Sequence, residues 1–126
     1  MCEAILCLYE SLPEDELVIV TAPSNAAIDI IVKFLVRHVP KEELCRLSSV
    51  SKANNFDKDI ERVSTPDVKD VIKKKRNGLR ILCGTLGIMG KLSKHKVQFQ
   101  ASHVFVDEAG QATIPDILAV WTQFLR

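Results

Sequence analysis

The sequence predicts an α/β fold, a parallel sheet flanked by helices, and three observations carry that prediction. Apolar runs of strand length, Leu17-Val18-Ile19-Val20, Leu79-Arg80-Ile81-Leu82-Cys83 and Val104-Phe105-Val106, lack the strict alternation of a half-solvated sheet and read as buried strands. Segments of helical period stand between them. Each run also ends in a polar or acidic turn, the position at which open α/β sheets bind ligands.

Composition sets the bounds. A chain of 126 residues has single-domain length, and 47% hydrophobic with 26% charged residues places it with globular proteins rather than disordered ones. The formal charge of +1 supplies no global attraction for nucleic acid, so any such attraction has to be local. Cys2, Cys7, Cys45 and Cys83 form no Cys-x-x-Cys pair and the histidines lack ligand spacing, so reduced intracellular thiols and no zinc site are expected. No apolar run reaches the roughly eighteen residues a membrane helix needs, and Glu3 stands where a secretory leader carries basic residues. Neither a membrane span nor a leader is expected.

Taken in order, residues 2 to 11 place Ala4, Ile5, Leu8 and Leu12 on one stripe and predict an opening helix without an N-cap. Pro13 and the acidic loop Glu14 to Glu16 end it before the strand at 17–20. That strand runs into Thr21-Ala22-Pro23-Ser24-Asn25. Beyond it, Ala27, Ile30, Ile31, Phe34, Leu35 and His38 form the predicted apolar stripe of a second helix, with Asp29, Lys33 and Arg37 on the opposite face. Ser24 or Asn25 is the natural N-cap. Hydroxyl and amide groups beside a helix N-terminus read first as an ordinary capping turn, and alternatively as a cradle for a phosphate backbone.

After Pro40, Leu44-Cys45-Arg46-Leu47 predicts a short strand, and residues 48 to 64 read as an irregular excursion from the sheet. Thr65-Pro66-Asp67 starts a helix that Asn77-Gly78 closes. Six basic residues, Lys69, Lys73, Lys74, Lys75, Arg76 and Arg80, form either a solvated face or a track for nucleic-acid phosphates. The strand 79–83 then leads into Gly84-Thr85-Leu86-Gly87-Ile88-Met89-Gly90-Lys91. Thr85 and Leu92 stand where a Gly-x-x-x-x-Gly-Lys-Ser/Thr loop needs glycine and hydroxyl, so this is a strand-end turn presenting Thr85 on the same edge as Thr21 and Ser24. A polar connection, 91–100, joins it to the last strand.

That strand ends in Asp107-Glu108. Two adjacent carboxylates at a strand end can divide the labour between a metal and a water, with Asp107 holding Mg²⁺ through its water shell and Glu108 deprotonating the attacking water. An ordinary solvated acid pair is the alternative. Gly110 is expected to supply the sharp turn, and Thr113, Pro115 and Asp116 the N-cap, first-turn proline and N-terminal charge of a closing helix.

Together, Thr-Ala-Pro-Ser-Asn, Gly-Thr-Leu and Val-Asp-Glu-Ala-Gly-Gln-Ala in this order resemble the first RecA-like domain of superfamily 1 RNA helicases of the up-frameshift-like group. The resemblance is strongest to the Armitage and Moloney-leukaemia-virus-10-like branch and covers residues 1 to 118. It implies a partial RecA-like domain spanning 1–126, a P-loop NTPase fold lacking its first strand and phosphate-binding loop. It further implies RNA contacts at Thr21, Pro23, Ser24, Asn25, Thr85 and Leu86, with Asp29 in the same motif. Asp107 and Glu108 become the catalytic pair, contacting ATP together with Gln111, with Mg²⁺ on Asp107 through water. ATP and Mg²⁺ are the implied cofactors, single-stranded RNA and small-RNA silencing proteins the implied partners, and the cytoplasm the implied location.

The chain departs from the family's pattern as well. The family's phosphate-binding loop is expected immediately before residue 1, the second RecA-like domain is expected beyond the end, and Ile114 and Asp116 stand where the branch carries glutamates. The expectation is therefore a fragment of an ATP-dependent RNA helicase, cut at both ends and inactive by itself as an ATPase. A non-catalytic RNA-binding or regulatory module and a non-functional truncated product are the alternatives.

Overall fold

A computed structural model of the chain describes residues 1–49, 58–92 and 100–124. Five strands form one sheet, β1 (Val18–Ala22), β2 (Leu44–Leu47), β3 (Ser64–Thr65), β4 (Ile81–Thr85) and β5 (His103–Val106), in the order β3-β2-β4-β1-β5. Every pairing is parallel. The predicted α/β class, a partial RecA-like sheet with flanking helices, is what the molecule has.

Alternation along the buried strands sorts the core into two layers. Val18, Val20, Ala22, Leu44, Ile81 and Cys83 face α1 (Cys2–Ser11) and α2 (Asn25–Leu35), whose Ile5, Ile28, Ile31, Val32 and Leu35 pack against them. Leu17, Ile19, Cys45, Leu47 and Leu82 face the other side, against α4 (Val68–Arg76), α5 (Leu86–Lys91) and α6 (Ile114–Phe124) through Val71, Met89 and Val120. A short α3 (Lys58–Glu61) adds Ile60 to the first layer. Helices on both faces are what allow these strands to be apolar on both sides.

Local signals place most boundaries. Ser24 caps α2 by accepting from the Ala27 amide at 3.2 Å, and Asp67 caps α4 through the Lys69 amide at 2.9 Å. Gly78 ends α4 with φ of 102°, a conformation glycine adopts without a Cβ clash. Gly84 is required for space, since a Cβ there would stand 2.9 Å from the Met89 methyl and 3.1 Å from the Leu47 carbonyl oxygen.

Four expectations change, the first being that residues 58–64 of the expected irregular excursion hold α3 and the first residue of β3. The buried stripe of α2 is Ala27, Ile28, Ile31, Val32 and Leu35, while Ile30 is 70% exposed and His38 is exposed. The sheet, not the helical period alone, selects which of several adjacent apolar residues turn inward. β5 is only half-buried because its described pairing is to β1 on one side. The strand expected at 79–83 is observed at Ile81–Thr85, shifted by two residues into the expected turn. Most of the polar connection 91–100, and most of the first half of the excursion 48–64, lie outside the described residues.

Candidate nucleic-acid and nucleotide site

Register brings the three strand ends together. Ala22 of β1 pairs with Thr85 of β4, and Thr21 pairs with Val106 of β5, so Ser24, Thr85 and Asp107 follow three neighbouring strands at one edge of the sheet. Adjacent strands lie about 4.8 Å apart, which makes these ends a contiguous ledge. The Asp107 amide continues the ladder by donating to the Thr21 carbonyl at 2.9 Å.

Not every expected residue stands on its surface. Pro23, Ser24, Asn25 and Thr85 are half-buried at the ledge, with the Thr85 hydroxyl accepting from the Ile88 amide at 3.4 Å. Thr21 is fully buried, and Leu86 is 5% exposed. Thr21 therefore supports the ledge from within the α5–α6 layer instead of facing outward beside Ser24. Its period-two neighbours Leu17 and Ile19 point the same way, which decides the matter.

The acid pair has its own geometry. Glu108 adopts φ of 55° and ψ of 39°, the only left-handed non-glycine among the described residues. Its amide donates to the Asp107 Oδ1 at 3.1 Å, and its carbonyl accepts from the Gln111 amide at 2.9 Å. The sharp turn expected at Gly110 is thus made at Glu108, a strained position for a residue with a Cβ. Asp107 is half-buried, while Glu108 and Gln111 are exposed. Thr113 caps α6 by accepting from the Asp116 amide at 3.3 Å.

The fit to a metal and a nucleotide is uneven. One carboxylate with free lone pairs suits Mg²⁺, which keeps several waters and needs only one or two protein carboxylates alongside phosphate oxygens. Among the described residues, no group of three or more His, Cys, Asp or Glu side chains is placed to hold a metal ion. Gly87 and Gly90 lie inside α5 and form no phosphate-cradling loop, in agreement with the failed loop pattern. No helix among the described residues is long and apolar enough to cross a membrane.

Sequence reasoning missed Arg46. It is the largest fully buried side chain among the described residues, 1% exposed, on the face of β2 that looks at α2. Its guanidinium pairs with Asp29 and donates from Nη2 to Asn25 Oδ1 at 3.2 Å. Burial pushes its pKa below the ordinary value. An arginine inside an otherwise apolar four-residue strand was the available signal, because a buried charge demands partners. Arg80, counted with the basic run, is also withdrawn from solvent. It donates to the Tyr9 and Leu12 carbonyls at 2.7 and 2.9 Å, lies 4.2 Å from the Tyr9 ring centroid, and approaches Glu43 at 3.8 Å. The basic last turn of α4 lies at the other end of the sheet, since α4 runs back to the start of β4.

Mouse RNA helicase Mov10l1 is 31% identical to this chain over 119 residues, and the human RNA helicase Mov10l1 is 30% identical over 119 residues. Each match takes in 92% of this chain and 10% of the relative. The chain is related to the Mov10-like RNA helicases. It spans about a tenth of the length of the curated relatives it matches. No family model matches it. The Mov10-like similarity embraces both the Ser24–Asn25 ledge and β5, so the two halves of the edge share a helicase-related origin.

Proposed function

We propose that this chain supplies the RNA-contacting ledge and the acid pair of an ATP-driven helicase motor, as part of its first RecA-like domain over residues 1–126. The observation that carries the reading is the parallel register, which sets Ser24, Thr85 and Asp107 side by side on neighbouring strand ends. Ser24, Asn25 and Thr85 contact the single-stranded RNA backbone, with Pro23 shaping the turn and Thr21 and Leu86 holding it from beneath. Asp107 would hold hydrated Mg²⁺, Glu108 would accept the proton of the attacking water, and Gln111 would stand beside the nucleotide. When bound, Mg²⁺ with ATP neutralises phosphate charge and presents the terminal phosphoryl group. The expected partners are RNA and small-RNA silencing proteins in the cytoplasm.

Catalysis of phosphoryl transfer is almost wholly positioning and charge stabilisation, so carboxylates without a phosphate cradle turn over poorly. The chain by itself is expected to show background ATPase and weak, salt-sensitive RNA binding. Fluorescence anisotropy with a labelled single-stranded RNA tests the ledge: Ser24→Ala with Asn25→Ala should lower affinity, and equal binding in the variant would remove the RNA reading. Fast RNA-stimulated turnover that vanishes in Glu108→Gln would instead show that these residues form a complete motor. The non-catalytic alternative draws support from the half-buried ledge standing formed without a phosphate-binding loop, and predicts RNA binding indifferent to ATP.

A further inference from the structure

Asn25 begins α2 at the ledge, and its carboxamide has two ends of opposite hydrogen-bonding character: an oxygen that accepts and an NH₂ that donates. Arg46 beneath it has five N–H donors and no acceptor. The only end of Asn25 that can meet the guanidinium is therefore the oxygen, and the contact is Nη2 to Oδ1 at 3.2 Å. With the acceptor turned inward, the end left for the ledge is the donor. Asp29, one helical turn further along α2, pairs with the same guanidinium and holds it in place. Both α2 partners come from the first five residues of the helix, so the buried arginine ties the start of α2 to β2.

We propose that Arg46 is a positioning residue that sets the Asn25 carboxamide with its NH₂ outward, making the ledge a hydrogen-bond donor surface matched to phosphate oxygens. The inference rests on the RNA reading above only for the identity of the ligand. The orientation itself is a property of the Arg46, Asn25 and Asp29 triad. The Ser24 hydroxyl accepts from the Ala27 amide and keeps a rotatable O–H of its own, so Asn25 is the ledge side chain whose polarity a buried contact fixes.

The test compares three variants with the wild-type chain, using single-stranded RNA anisotropy, thermal unfolding, and the ¹⁵N-resolved side-chain amide signals of Asn25. Asp29→Asn with Arg46→Met removes the ion pair of buried Arg46 and half-exposed Asp29 together, so that neither charge is left without its partner. RNA affinity should fall about tenfold, the worth of one oriented hydrogen bond, and adding Asn25→Ala should lower it no further. Asn25→Asp keeps or strengthens the contact to Arg46, so it should unfold no earlier than wild type yet lose RNA affinity by tenfold or more, because an acceptor now faces phosphate. Rigid Asn25 amide signals in the wild type should become averaged in the paired variant. Wild-type affinity in a folded Asp29→Asn, Arg46→Met protein, or unchanged Asn25 signals there, overturns the proposal. Should the wild-type chain bind no RNA at all, the RNA reading fails, and the amide signals alone decide whether Arg46 orients Asn25.

Discussion

At the β4–β1 half of the carboxyl edge, Ser24 caps α2, Thr85 caps α5, and the buried Arg46 holds Asn25 and Asp29 from below. At the β5 half, the strand is half-buried, the acid pair is joined to the sheet by the Asp107 amide, and Glu108 sits in a left-handed conformation with its side chain exposed. One half is a ledge supported from inside by several elements, and the other is presented at the rim of the sheet by one strand. On the function proposed above, a ledge that grips a polymer backbone would benefit from rigid polar groups. On the same reading, an acid pair meeting a metal and a nucleotide would benefit from access, and the strain at Glu108 is of the kind found at functional sites.

Substitutions in the two halves should separate them most sharply through the core. Ile19→Ala on β1, fully buried, should cost about 3–4 kcal/mol, whereas Phe105→Ala on half-buried β5 should cost about half as much in urea unfolding. Equal costs would mean that β5 is as well packed as β1.

The next largest effect is on pH dependence. Burial raises the Cys45 thiol on β2 from 9.0 to about 11, and pushes Cys83 on β4 upward as well. Between those values the folded chain holds a proton that the unfolded chain has released. The associated stability is fully present below pH 9 and is lost as pH rises through about 11, on the order of 2–3 kcal/mol for Cys45 alone. Chemical denaturation across pH 8–11 should show this slope reduced in Cys45→Ala.

Smaller differences sharpen the comparison at the edge itself. Ser24→Ala removes the α2 cap and should lower stability by about 1 kcal/mol, read from the thermal midpoint. Glu108→Gly should move the other way, gaining roughly 0.5–1 kcal/mol by relieving the left-handed backbone after the larger unfolded-state freedom of glycine is counted. A loss of stability there would show that the Glu108 side chain holds the turn together.

Much of the chain was readable locally. The opening helix, the strand 44–47, the Ser24 cap, the Asp67 start and Gly78 stop of α4, and the Thr113 cap all follow from period and capping chemistry within a few residues. The failed phosphate-loop pattern at 84–91 was equally local, and those residues form a strand end and a helix. The two-residue β3 was missed, because Ser64 and Thr65 become a strand only by pairing with Arg46 and Leu47.

What the sequence determined by itself was which segments alternate between strand and helix and which polar groups stand at the strand ends, since both are written in neighbouring residues. Only the tertiary structure decided the order β3-β2-β4-β1-β5, the inward turn of Thr21, the withdrawal of Arg46 and Arg80 from solvent, and the exposure of β5. Those depend on partners 21 to 71 residues away, such as Asn25 for Arg46 and Tyr9 for Arg80, and a buried charge or a strand's place in a sheet has no local signature apart from its need for such partners.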